Sequence, residues 1–178
     1  PCYIISDDKY VISANYTGGT ISVFGRNADG SLTEAKQLIK HSGSSVNKER
    51  QEKPHVHMVQ FSPDKKYVFA NDLGTDKTYI YSYNPNEEHK ILVLKDVVTA
   101  RPGSGPRHLI FNPNGIFFYV LNELDASLAV YSWIKDKAVL IQEMSIAIKE
   151  EGCKNGAADI RFSRDGKFLY ATNRGDAN

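Results

Sequence analysis

The stretch from Leu109 to Trp133, LIFNPNGIFFYVLNELDASLAVYSW, decides the fold. Phe and Tyr alternate with smaller residues on both sides of an Asn-Pro-Asn-Gly turn, the pattern of a β-hairpin. The pattern recurs in YIISDDKYVISANYTGGTISVFG (Tyr3–Gly25), VQFSPDKKYVFANDLGTDKTYIYSY (Val59–Tyr83) and IRFSRDGKFLYATNRGDAN (Ile160–Asn178). Each copy has an apolar marker, a turn of Pro, Asp, Asn, Gly or Lys, and an aromatic-rich strand ending in Asn or Asp. Ile4 to Asn15, Phe61 to Asp72, Phe111 to Asn122 and Phe162 to Asn173 are each eleven positions. The markers Ile4, Phe61, Phe111 and Phe162 follow one another at 57, 50 and 51 residues. Four short strands in each period of about 40–50 residues, with no helical stripe, make an all-β chain of β-propeller blades.

Within one period, strands are expected at Arg107–Asn112, Phe117–Asn122, Ser127–Trp133 and Ala138–Ser145. Three polar stretches, Lys40–Lys53, Thr99–Pro106 and Ala147–Gly156, read as loops that lead into an innermost strand. At about 50 residues per blade, the 178 residues form a single partial propeller of roughly three and a half blades, where closed propellers have about four to eight. The chain opens on Pro1 rather than Met and its last copy breaks off at NRGDAN, so it reads as a piece of a larger propeller. Such a piece can fold through neighbour contacts, with two blade faces exposed through which it would self-associate.

Composition narrows the function. The 22 basic and 21 acidic residues nearly cancel, which gives no sequence-independent attraction to nucleic acid or acidic lipid. No apolar run reaches the ~18–20 residues of a membrane span and no signal-peptide pattern opens the chain. Cys2 and Cys153 are far apart and outside any C-x-x-C spacing, so they read as thiols of a reducing compartment, and a cytoplasmic location is expected.

The copies can be compared with each other. Markers, turn residues and Tyr/Phe positions agree and serve the blade. Two columns disagree. Four residues before the marker stand His57, Arg107 and Ala158; twelve after it stand Tyr16, Leu73, Glu123 and Arg174. The two strands are antiparallel, so both columns lie at one end of each sheet, with Arg107 opposite Asn122 and beside Glu123. Inner strands ring the central channel, and His57, Arg107, Glu123 and Arg174 are therefore expected to converge on one mouth of it.

Other candidates carry less. His55 and His57 place two imidazoles on one strand face, but no third ligand has metal-like spacing, and neither metal nor cofactor is expected. By alternation His108 points away from Arg107 and serves packing; Asp159, on the same alternate face, is expected to bond backbone between blades. His41 and His89 lie in polar loops. G-x-S-x-G, P-loop and G-x-G-x-x-G motifs are absent.

In PHVHMVQFSPD (Pro54–Asp64), GPRHLIFNPNG (Gly105–Gly115), YVLNELDASLAVY (Tyr119–Tyr131) and GAADIRFSRDGKFLYATNR (Gly156–Arg174) the sequence resembles the seven-bladed-propeller lactonases. That family includes the bacterial cycloisomerase-like 6-phosphogluconolactonases and the fungal 3-carboxy-cis,cis-muconate lactonising enzyme. The match covers nearly the whole chain, about the middle half of a family member. It implies an active site of His, Arg, Glu and a second Arg, which fall on His57, Arg107, Glu123 and Arg174. The reaction implied is hydrolysis of a small, anionic sugar lactone, 6-phosphoglucono-δ-lactone, to 6-phosphogluconate. The arginines would clamp the anion or the oxyanion, and His57 or Glu123 would be the base. A muconate-type cycloisomerase and a non-catalytic binding platform with exposed rim aromatics are the alternatives. The piece alone is expected to be inactive, because part of the channel wall belongs to other blades.

Overall fold

The computed structural model describes residues 1–148 and 153–175. The first blade is β1 (Tyr3–Ser6), β2 (Tyr10–Asn15), β3 (Thr20–Arg26) and β4 (Leu32–Lys40). The second is β5 (Val56–Phe61), β6 (Tyr67–Asp72), β7 (Lys77–Tyr83) and β8 (Leu92–Thr99); the third is β9 (Pro106–Phe111), β10 (Phe117–Asn122), β11 (Ser127–Ile134) and β12 (Lys137–Ser145). A two-stranded sheet, β13 (Asn155–Phe162) with β14 (Leu169–Gly175), begins the next blade. Every sheet is an antiparallel meander in chain order. The only helical turn among the described residues is a 3-10 turn at Leu73–Thr75. The strand bounds expected for the third blade hold to within one residue. The loop expected at Ala147–Gly156 falls partly on residues 149–152, and the end of NRGDAN on 176–178; both lie outside the described residues.

Blades meet face to face, and each interface is a hydrophobic core. Ile12, Ile21, Val56, Val59 and Ile91 close the first interface. The second is aromatic: Phe69 lies 5.0 Å from Phe111 and 5.1 Å from Trp133, edge to face, and 5.1 Å from Phe118 in a tilted pair. Leu121, Leu128, Ala157 and Ile160 form the third. The innermost strands β1, β5, β9 and β13 pack in that order, which puts one end of each inner hairpin on a shared rim.

The opposite end of each hairpin is a tight turn, and the turns also space the blades. Gly115 (φ 74°) packs on Pro63 of the preceding blade, and Gly166 (φ 71°) packs on Pro113. A Cβ on Gly166 would stand 2.6 Å from Pro113 Cγ, so the glycine serves both the left-handed turn and the close approach. In the second blade Lys65 occupies the left-handed conformation instead (φ 54°).

The rim end departs from the expected register. Leu121 pairs with His108 but Asn122 pairs with Pro106, which leaves Arg107 as the extra residue of a β-bulge. The second blade does the same: Asp72 pairs with Val56 and Asn71 with Met58, so His57 is the extra residue. Arg107 is therefore not opposite Asn122, and strict alternation of faces fails where the functional column lies. The Asn or Asp that closes the second strand ties the rim turn: Asp72 Oδ1 accepts from the His55 and Gly74 amides, and Asn122 Nδ2 donates to Ser127 Oγ.

Candidate functional site

His57, Arg107, Glu123 and Arg174 line one cavity of about 500 Å³ at the bulged end of the sheets, together with Arg50 and Tyr16. The first four come from β5, β9, the residue after β10, and β14. Arg50 comes from the polar loop before β5.

Glu123 is the centre. Its backbone is stitched on both sides, its N–H donating to Gly105 O (2.8 Å) and its carbonyl accepting from Ala157 N (3.2 Å) of the next blade. Three guanidinium groups meet its carboxylate. Arg107 Nε donates to Oε2 at 2.9 Å, while Arg50 Nη2 and Arg174 Nη2 approach Oε1 at 2.8 and 3.2 Å. Burial alone would favour protonation. The hydrogen bond from Arg50 and the charges of Arg50, Arg174 and Arg107 outweigh it and hold the carboxyl below its ordinary range. One carboxylate faces three permanent cations, so the cluster keeps an excess of positive charge.

Arg107 is fixed on three sides. Besides Glu123 it donates to the carbonyl of Ala158 in the next blade and to His108 Nε2 at 3.2 Å. Because guanidinium can only donate, His108 Nε2 is an acceptor, and its Nδ1–H donates to Asp159 Oδ1 at 2.8 Å. Two expectations are corrected here. His108 is not a packing residue facing away from Arg107: the bulge turns the two side chains together. Among the described residues the Asp159 carboxylate bonds no backbone across the blades and instead takes His108 on one oxygen and Arg161 on the other.

His57 is buried, its ring edge-on to His108 (5.2 Å) and to Tyr16 (5.7 Å). Its Nδ1 finds no hydrogen-bond partner among the described residues. Burial first, and then the charges of Arg107 and His108, push its pKa down to about 3, so the imidazole is neutral at any physiological pH. His55 is engaged elsewhere, stacked on Tyr16 at 4.4 Å and bonded to Tyr16 O and Glu52. Among the described residues no group of three or more His, Cys, Asp or Glu could hold a metal ion.

Sequence reasoning missed the loop. Lys40–Lys53 is no bare connection: His41 is buried, its Nδ1 2.8 Å from Asp72 Oδ2 and its Nε2 2.8 Å from the Tyr81 hydroxyl. Arg50 is held at its backbone by Asn47 Oδ1 (3.1 Å). The anchor of the whole region is Asp76. Its buried carboxylate accepts from Ser45 Oγ, from Gln51 Nε2 (2.7 Å), and from the amides of Gly103 and Gly105 (both 2.7 Å). One side chain thus ties the loop bearing Arg50 to the loop entering β9 and Arg107. A signal was present: Asp76 is left-handed (φ 55°) where the other copies carry Gly19 and Ala126 (φ 59° and 48°). The turn does not need a carboxylate, so a third column differs among the repeats.

Fold and site define a β-propeller with an arginine-rich cavity on its rim. The chain belongs to the lactonase, 7-bladed β-propeller family, whose model matches residues 1–178. It is 35% identical over 180 residues to a 6-phosphogluconolactonase of Bacillus subtilis, covering 98% of this chain and 50% of that protein. It is 32% identical over 168 residues to a 6-phosphogluconolactonase of Formosa agariphila, covering 94% and 47%. The structure of a periplasmic gluconolactonase from Pseudomonas aeruginosa superposes with a TM-score of 0.91 at 38% identity, over 100% of this chain and 51% of that one. The chain spans about half the length of the curated relatives it matches.

Proposed function

We propose that the propeller to which this chain contributes hydrolyses a phosphorylated sugar lactone, of the 6-phosphoglucono-δ-lactone type, to the open acid. The observation that carries the reading is the convergence of three guanidinium groups on the single carboxylate of Glu123, beside a neutral imidazole. The names of the relatives support it. Water adds to the lactone carbonyl, the ring C–O bond breaks, and the departing alkoxide takes up the proton. Arg107, held rigid by Glu123, Ala158 and His108, stabilises the oxyanion of the addition step without needing to reorganise. His57, unprotonated down to about pH 3, accepts the proton of the attacking water and returns it to the alkoxide. Burial is the larger cause of its low basicity, and an anion bound nearby offsets the arginine charge that adds to it. Glu123 holds the guanidinium groups in place. Arg174 adds positive charge on the solvent side, and the substrate partner is accordingly anionic. No helix among the described residues is long and apolar enough to cross a membrane; on this reading a phosphorylated substrate goes with a cytoplasmic reaction.

The test is a coupled assay on the complete propeller, in which release of 6-phosphogluconate is read by its oxidation with NADP. Acceleration well above spontaneous ring opening, lost in His57→Gln, is expected. Absence of acceleration on any lactone, with retained binding of a protein or peptide on the rim, would replace the enzyme by a binding platform.

A further inference from the structure

The three arginines around Glu123 are not equivalent. Arg107 is nearly buried, with 16% of its side chain exposed, and its bonds to Glu123, Ala158 and His108 occupy Nε and Nη1. Arg50 and Arg174 have 43% and 56% of their side chains exposed. Both meet the same carboxylate oxygen, Oε1. Both side-chain hydrogen bonds of Arg50 among the described residues leave from Nη2, to Glu123 and, at 3.4 Å, to the Tyr16 hydroxyl. A structural ion pair would be complete with Arg107 alone. Two further guanidinium groups sharing one oxygen leave several N–H donors and net positive charge at the open side of the cavity. Tetrahedral oxyanions are bound by this kind of paired, forked donor set.

Arg50 is also placed with care. It rides on a loop that contributes no strand to a blade, and that loop is clamped by Asp76 through Ser45 and Gln51 and by Asn47 at its own turn. The clamp is independent of the Arg50 side chain, so the guanidinium can exchange partners while the loop stays fixed.

We propose that Arg50 is a specificity-determining residue which, with Arg174, seats the phosphate group of the lactone at the open side of the cavity. This rests on the lactonase reading and extends it. On binding, the phosphate shares the two guanidinium groups with Glu123 Oε1 and the Tyr16 hydroxyl supplies a further donor. The ester ring is then presented to Arg107 and His57.

The experiment compares the complete propeller with its Arg50→Ala and Arg50→Lys variants on 6-phosphoglucono-δ-lactone and on unphosphorylated glucono-δ-lactone. In Arg50→Ala the ratio of kcat/KM for the phosphorylated over the unphosphorylated lactone is expected to fall about tenfold to hundredfold, through KM, the loss of a charge-assisted pair. Arg50→Lys keeps the charge but not the fork and recovers part of the ratio. Unchanged melting temperatures separate this from unfolding. A ratio that stays within twofold of the wild type overturns the proposal, as does a larger loss on a carboxylated lactone than on the phosphorylated one. Calorimetric titration with inorganic phosphate tells the two levels apart. If the wild type hydrolyses neither lactone but binds phosphate in an Arg50-dependent way, the anion seat stands and the lactonase reading falls. If phosphate binding is the same with and without Arg50, the seat itself falls.

Discussion

The two ends of the β9–β10 hairpin share a backbone and little else. Toward the turn, Phe111 and Phe118 face each other in regular register and join Phe69 and Trp133 in an aromatic core, and Gly115 leans on Pro63. Toward the rim, the register slips at Arg107, apolar packing gives way to hydrogen bonds, and Glu123 gathers cations from three other segments. The turn half repeats from blade to blade because every interface needs the same packing. The rim half differs because the bulge supplies the same geometry to the second and third blades while the side chain placed there is free to vary. Stability and chemistry are thus separated along a single hairpin.

That separation can be broken or sharpened by substitution. The largest effect is expected in the turn half: Phe69→Ala empties the centre of the second interface and should cost about 3–5 kcal/mol in urea unfolding. Next is Asp76→Ala, on a left-handed turn that already tolerates alanine at Ala126. It strands the half-buried Gly103 and the buried Gly105 amides and frees the Arg50 loop, at about 3 kcal/mol, with a rise in KM for the phosphorylated lactone. Arg107→Ala should leave the fold nearly intact and lower kcat about a hundredfold, or ~3 kcal/mol in the barrier. His108→Ala should follow it in part, because the bulge makes His108 a brace for Arg107; a silent His108→Ala would show that the bulge contact is unimportant.

The pH dependence has a smaller slope. His57 titrates near 3 folded and near 6.5 unfolded, so between those values the unfolded chain binds the extra proton and stability falls as pH falls. Glu123, depressed below 4.5, adds a loss of the same sign at lower pH. One such proton contributes at most about 1.4 kcal/mol per pH unit, and His57→Gln should flatten the curve between pH 6.5 and 4.5. The smallest effect belongs to the turn end: Lys65→Gly relieves a left-handed lysine where two other blades have glycine. It should gain about 0.5–1 kcal/mol in urea unfolding with kcat and KM unchanged.

Much of the molecule was legible in the sequence because a repeat is its own alignment. The eleven-residue spacing from Phe111 to Asn122 marks a hairpin, and four copies of it mark blades, since strand length and turn chemistry are local. The placement of His57, Arg107, Glu123 and Arg174 at one end of their sheets followed from antiparallel pairing alone. Arg50 and Asp76 did not follow. Arg50 sits in a polar loop whose path no periodicity describes, and Asp76 reveals its use only when the loops that donate to it are folded back upon it.

What the sequence determined by itself was the blade: the alternation that buries Phe69 and Phe118, the turns that accept positive φ, and the columns where the copies cease to agree. Tertiary structure alone decided the facing of Arg107 and His108. A bulge is a property of two paired strands, and one inserted residue reverses the alternation that a single strand implies. Tertiary structure alone also set three arginines from a loop and two blades on one carboxylate. Arg107 and Glu123 share one hairpin, but residues 50, 123 and 174 are far apart in the chain, and only the stacking of whole blades fixes the few ångströms between their charges.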